Sequence, residues 1–198
     1  GVQFAARFDL VCNSDSLKIM QKIDISDLSA NRIYLELEKF FIAKFKRRAM
    51  ELLSELGLDL KLFGVEFDER FIQQISNKIH THKASFLYHL INYYAIDGKS
   101  LISRLALPNC YSISYKQPFL RRVSKFELLK IALDMPLCQW LGLDSKRRIK
   151  MAQALGIYEH KFSPNIDTSA ILCVGKAYGD ELKRLRIQAI KDYLNGCN

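Results

Sequence analysis

The sequence predicts an all-α fold of ten or so short helices on short connectors, and three observations lead there. Apolar residues recur at helical spacing along nearly the whole chain, as with Ile33, Leu37, Phe40 and Phe41 on one helix face. Strand signals are scarce: β-branched alternation is rare, no Asn-Gly or Asp-Gly hairpin is present, and only Cys110-Tyr-Ser-Ile-Ser-Tyr115 has an extended pattern. Helix breakers are few, nine Gly and four Pro in 198 residues. No self-similarity at a period of about 30–45 residues emerges, which argues against a regular solenoid.

Each element has its own warrant. A helix over 30–41 follows Ser29, whose hydroxyl can accept from a first-turn N–H that has no partner within the helix. The next, over 44–56, buries Phe45, Ala49, Leu52, Leu53 and Leu56 and stops at Gly57, a residue that tolerates the left-handed conformation of a helix end. Residues 58–64 read as a connector. Further helices are expected over 68–79, 83–94, 98–105, 125–133, 136–141, 146–155, 168–174 and 179–194. Ser124 with Glu127 spells a capping box, Pro136 suits a first helical turn, and Leu107-Pro108 opposes continuation of the helix before it.

Composition excludes several classes. A chain that is 49% hydrophobic and 26% charged is neither disordered nor collagenous, and its length suits one domain or two small ones. No apolar run approaches the roughly 20 residues that cross a bilayer, and the opening GVQFAARFDL is too short and too early charged for a signal peptide. A cytoplasmic location is therefore expected. Five cysteines, Cys12, Cys110, Cys138, Cys173 and Cys197, form no C-x-x-C pair, so reduced thiols are a simpler reading than a disulfide framework or a zinc site.

The net charge of +9 is unevenly placed. Residues 1–66 hold ten basic and ten acidic side chains, residues 67–132 ten and four, and residues 133–198 ten and seven. All the excess lies in the last two thirds, a distribution that suits a polyanionic partner, most often nucleic acid. Lys44, Lys46, Arg47 and Arg48 sit among Glu51 and Glu55 and read as a solvated helix face, with Arg47–Glu51 an i,i+4 pair and Arg48–Glu55 a weaker relation. Three clusters have few acidic neighbours and are candidate phosphate contacts or simple solvated cations: Lys116, Arg121, Arg122 and Lys125; Lys146, Arg147, Arg148 and Lys150; Lys176, Lys183, Arg184 and Arg186. Tyr115, Phe119, Tyr158 and Tyr178 lie among them as core aromatics or as stacking platforms.

No catalytic constellation is present: no G-x-S-x-G, Walker loop, G-x-G-x-x-G, H-E-x-x-H or D-x-D. His80 and His82 would point to different sides of a helix and read as structural. Gly175-Lys-Ala-Tyr-Gly179 reads as a tight helix-to-helix turn.

The segment 24–63 carries, in order, Ser29, Arg32-Ile33, Glu36-Leu37, Leu56-Gly57-Leu58 and Leu62-Phe63. It resembles the neck and body region of bacterial tRNA nucleotidyltransferases (CCA-adding enzymes) and of their relatives the bacterial poly(A) polymerases. Phe4, Ala5, Arg7 and Phe8 extend the likeness to the stretch just beyond that family's E-D-x-x-R motif. Residues 83–108 resemble its body helices, and residues 163–196, with Asp167, Gly175 and Gly179, are similar to its tail hairpin.

The resemblance implies an elongated multi-helix array of small bundles, with a neck over 1–63, a body over 64–135 and a tail over 136–198. It also implies that Arg7, Arg32 and Glu36 brace the neck near the nucleotide pocket; from spacing alone, Arg32 and Glu36 can equally form an ordinary surface ion pair. The family's catalytic head, with its Gly-Gly phosphate loop and paired carboxylates, would lie upstream of Gly1. The expectation is a fragment without catalytic residues or a metal site, inactive alone, whose intact enzyme would use Mg²⁺ with CTP and ATP. Its partners would be tRNA or other RNA and the missing head, and no membrane. Alternatives are the equivalent part of a poly(A) polymerase or of an A-only or CC-only enzyme, a nonenzymatic RNA-binding or protein-interaction module that shares the helix pattern, and a helix-turn-helix DNA regulator, against which no helix pair presents Arg, Asn or Gln in a clear recognition pattern.

Overall fold

Side-chain caps set many of the helix starts. The computed structural model describes residues 1–79, 82–169, 171 and 174–196. Among these are twelve α-helices and one short 3₁₀-helix, and no strand, so the all-α expectation holds. The chain divides into two compact units, Gly1–Gln117 and Pro118–Asn198.

The first unit holds α1 (Val2–Phe8), α2 (Ser14–Gln21), α3 (Ala30–Phe41), α4 (Lys46–Glu55), α5 (Leu58–Phe63), α6 (Glu69–Ser76), α7 (Ser85–Tyr94), α8 (Gly98–Arg104) and α9 (Asn109–Ser114). Asn13, Ser29, Asp68 and Asp97 each accept a first-turn N–H through the side chain, offsetting donors that no intrahelical carbonyl can reach. The core is aromatic. Phe86, fully buried on α7, has ring contacts with Phe40 (4.7 Å between centroids), Phe41 (5.3 Å), Phe63 (5.9 Å), Phe67 (6.2 Å) and Phe71 (6.2 Å). Such rings gain both from burial and from edge-to-face geometry.

Gly57 takes the left-handed conformation at φ 64° and joins α4 directly to α5. The expected connector over 58–64 is therefore mostly helix. It is held by buried Asp59, which accepts from the Ser54 hydroxyl (2.7 Å) and from the N–H groups of Leu60 (2.8 Å) and Phe67 (2.9 Å). Arg47 reaches Glu51 as expected (2.7 Å) and also Glu69 on α6 (2.7 Å). Arg48 turns to Asp9 (3.2 Å) and Glu51 (3.1 Å) rather than to Glu55. Its neighbour Lys46 is buried, donates to the Ala43 carbonyl, and has its pKa pushed down to about 8 by desolvation.

Residues 110–115 are not extended. They fall within and just after α9, which starts behind Pro108 and buries Tyr111 and Ser114 while leaving Ile113 exposed. Alternating Tyr and Ser also satisfies an i,i+3 face, and packing selects that period. Beside it, Glu38 accepts from Lys83 (2.7 Å) and from the Tyr34 hydroxyl (2.8 Å), and those bonds hold its carboxyl below the ordinary range. Helices α1 and α2 have no counterpart in the sequence reading.

The second unit holds α10 (Lys125–Ala132), the 3₁₀ turn Leu137–Gln139, α11 (Lys146–Ala154) and α12 (Lys176–Gly196). Ser124 caps α10 through the Glu127 N–H (3.2 Å). Its core gathers Leu128, Leu129, Ala132, Leu137, Trp140, Ala152, Ile157 and Ile190. The helix expected over 136–141 shrinks to the 3₁₀ turn, because the backbone becomes extended at Trp140 and seats the indole N–H on the Pro118 carbonyl (2.8 Å). Of the helix expected over 168–174, Thr168, Ser169, Ile171 and Val174 are not helical, and the rest lies outside the described residues. Asp167 instead accepts from the Ser169 N–H (2.9 Å) and hydroxyl (2.6 Å), a local turn that competes with helix. Gly175, at φ 65°, marks the turn before α12, whereas Gly179 lies inside that helix rather than closing the turn.

Among the described residues no helix is long and apolar enough to cross a membrane. Cys12, Cys110 and Cys138 are free thiols; Cys173 and Cys197 lie outside the described residues.

Candidate nucleic-acid interface

The second unit carries fourteen Lys and Arg against eight Asp and Glu, twice the excess of the first. Its most strongly basic element is the start of α11. Ser145 caps that helix by accepting from the Arg148 N–H (3.4 Å), and the first turn then presents Lys146, Arg147 and Arg148 with no acidic residue. Cations at the positive end of a helix dipole are unfavourable by about 0.3–1 kcal/mol each when exposed. An anion at this point relieves that repulsion and meets free N–H groups as well.

Arg148 is not itself free for phosphate. Its side chain is 16% exposed, and the guanidinium donates to the carbonyls of Gly142 (2.6 Å) and Leu120 (3.0 Å) and to the Asp144 carboxylate (3.1 Å), with a longer contact to the Arg121 carbonyl (3.4 Å). It also lies over the Trp140 ring at 5.8 Å. Its reading as a phosphate contact is corrected: planar geometry with five donors suits it to gathering several carbonyls at once. The consequence is that the backbone carrying Arg121 and Arg122 is held beside the helix start that carries Lys146 and Arg147. Two clusters separate in sequence thus become neighbours, and Arg121, Arg122, Lys125, Lys146, Arg147 and Lys150 are all exposed.

The third cluster divides. Arg184 pairs with Glu181 through two bonds (2.6 and 2.9 Å), which raise the guanidinium pKa and lower that of the carboxyl. Lys176 is exposed at the start of α12. Lys183 and Arg186, one turn apart, line a hollow of about 250 Å³ between α10 and α12 together with Lys130, Asp134, Leu133 and Leu182. A second hollow of about 290 Å³ shares Leu133, Leu182 and Arg186 and is closed by Phe162, Ser163, Pro164 and Thr168. Lys130 belongs to none of the predicted clusters, because its sequence neighbours are Leu129 and Ile131; only the packing of α10 on α12 adds it.

Lys116 is exposed in the first unit. There Arg7 lies over the Phe8 ring at 5.2 Å. Arg32 and Glu36 both line an apolar groove of about 210 Å³ with Val2, Leu28 and Phe40. They form no ion pair with each other among the described residues, and the spacing expectation is corrected here: Glu36 bonds Lys39 at 2.7 Å, one turn closer to the helix end. Of the aromatics, Tyr158 packs on the second unit's core and Tyr178 is exposed. Tyr115 lies so close to Gly98 that a Cβ there would sit 2.9 Å from its ring.

Among the described residues no three His, Cys, Asp or Glu side chains gather as metal ligands. His82 accepts from the Ala84 N–H through Nδ1 (3.0 Å), and His80 lies outside the described residues. No family model, no curated protein and no solved structure matches this chain.

Proposed function

We propose that this chain is an RNA-binding helical module, the neck, body and tail portion of a tRNA nucleotidyltransferase that adds CCA to tRNA 3′ ends. In that reading a separate head holds the metal ions, CTP and ATP, and the second unit described here grips tRNA. A-form RNA offers side chains little base-edge information in its deep groove, so a basic helical surface that tracks phosphates and 2′-hydroxyls is the physically suited reader.

One observation carries the reading. The Arg148 fork assembles four exposed cations, Arg121, Arg122, Lys146 and Arg147, at the positive end of a helix without a compensating carboxylate in its first turn. Its family-level part rests on the motif order from Ser29 to Phe63.

The test is binding of the whole chain to a tRNA lacking its 3′ CCA, beside a DNA duplex of equal length, across a salt series. Preference for tRNA with a slope equivalent to about three or more phosphate contacts is the expected result. Equal, weak binding to both nucleic acids would overturn it.

A further inference from the structure

The two adjoining hollows along α12, one against α10 and one against residues 162–168, have a chemistry that the exposed cations around α11 lack. Leu133 and Leu182 line both, Ile187 adds to the apolar floor of the first, and the rim of the first carries Lys130, Lys183 and Arg186 against a single carboxylate, Asp134. None of those three cations has an ion-pair partner among the described residues, although Arg184 beside them does. Arg186 lines both hollows. Phe162 walls the second one, its ring held edge-on by Tyr193 (5.2 Å, 62°) and its backbone N–H fixed on the Ala132 carbonyl (2.8 Å). Ser163 and Thr168 supply hydroxyls at the same wall.

We infer that this groove takes one unpaired nucleotide of a bound RNA, its base against Phe162 and the Leu133–Leu182 floor and its phosphates on Lys130, Lys183 and Arg186. The inference rests on the RNA-binding reading above. A paired base has its faces covered by its neighbours and offers a hollow only ribose and phosphate, which an apolar floor does not recognise. An unstacked base offers a π-face, and aromatic and guanidinium groups bind such faces with little regard to sequence. The hollows, about 250 and 290 Å³, are also on the scale of a single nucleotide rather than a duplex.

Gly179 makes the groove testable. It lines the first hollow in helical conformation, and a Cβ built there meets no described heavy atom within 4 Å. Gly179→Trp therefore adds bulk at the lining of the hollow from a position where the Cβ itself meets nothing, and Gly179→Ala is its control. The experiment titrates the whole chain with a single-stranded RNA hexamer carrying a central 2-aminopurine, and in parallel with a blunt 16-base-pair RNA duplex.

The expected result is hexamer binding with increased 2-aminopurine fluorescence, as the base leaves its stacked neighbours. Gly179→Trp and Arg186→Gln should each weaken it about ten-fold, while Gly179→Ala does not and duplex binding changes less than two-fold. Unchanged hexamer affinity in a folded Gly179→Trp protein would overturn the inference and leave the RNA-binding reading standing. So would an equal loss of hexamer and duplex binding, which would mean a continuous basic surface with no separate nucleotide site. Failure of the unmodified chain to bind either RNA at low salt would overturn both.

Discussion

The Arg148 guanidinium donates to the Leu120 carbonyl at 3.0 Å across 28 positions of sequence. That bond, with its partners at Gly142 and Asp144, makes one basic surface from two separate runs. It also separates the roles of two adjacent arginines. Arg148 faces inward and holds the surface together, whereas Arg147 is exposed on it.

Replacing Arg148 with Met should lower stability by about 2–4 kcal/mol, because it takes the cation away from Asp144, itself buried, and leaves three carbonyls short of a donor. Arg148→Lys should recover only part of this, since an ammonium cannot span the same fork. Thermal unfolding of the variants checks the ordering, and an Arg148→Met protein as stable as the parent would contradict it.

Arg147→Glu should behave in the opposite way. Stability should hold or rise slightly, because a carboxylate suits the first turn of α11. The log–log salt slope of tRNA binding should fall by about one or more. Anisotropy titrations at four salt concentrations, with unfolding curves of the same samples, separate the two effects.

Gly142 sits against the Trp140 ring, where a Cβ would lie 2.2 Å from the nearest ring carbon. Gly142→Ala should therefore cost about 1–3 kcal/mol by displacing the indole from its place. The loss of the Trp140 to Pro118 hydrogen bond should appear as a changed fluorescence maximum, since this is the chain's only tryptophan.

Lys46 predicts a pH dependence with a definite sign. Burial depresses its folded pKa to about 8 from an ordinary value of 10.5, so between those values the unfolded chain binds more protons than the folded one. Stability should then rise with pH above about 8, where the lysine has shed its proton in the folded state, and the cost of burying the charge is felt in full below that. The clean window ends near pH 10. There the tyrosines oppose the effect, because burial raises the pKa of Tyr94 to about 12 and that of Tyr111 further, so their contribution is lost as pH climbs. Denaturant midpoints between pH 7 and 9.5 should increase in the parent and stay flat in Lys46→Met.

Local chemistry was legible wherever a short stretch decides its own conformation. The caps at Ser29 and Ser124, the left-handed Gly57 and the helices over 30–41 and 125–132 are set by side chains within a few residues. Periodicity misled where two patterns share the same residues, as at 110–115, and where a local turn competes with helix, as at Asp167. The charge excess of the second unit was likewise visible as composition.

The helical class, several helix boundaries and the presence of unbalanced cations were determined by the sequence alone, because propensity, capping and net charge act within one turn of chain or need no geometry at all. Tertiary structure alone decided which cations work together. Arg148 is drawn inward by carbonyls 6 and 28 residues away, Arg184 is neutralised by Glu181, and Lys130 joins Lys183 and Arg186 from another helix. A guanidinium goes where donors and acceptors converge, and that convergence exists only once the helices have packed.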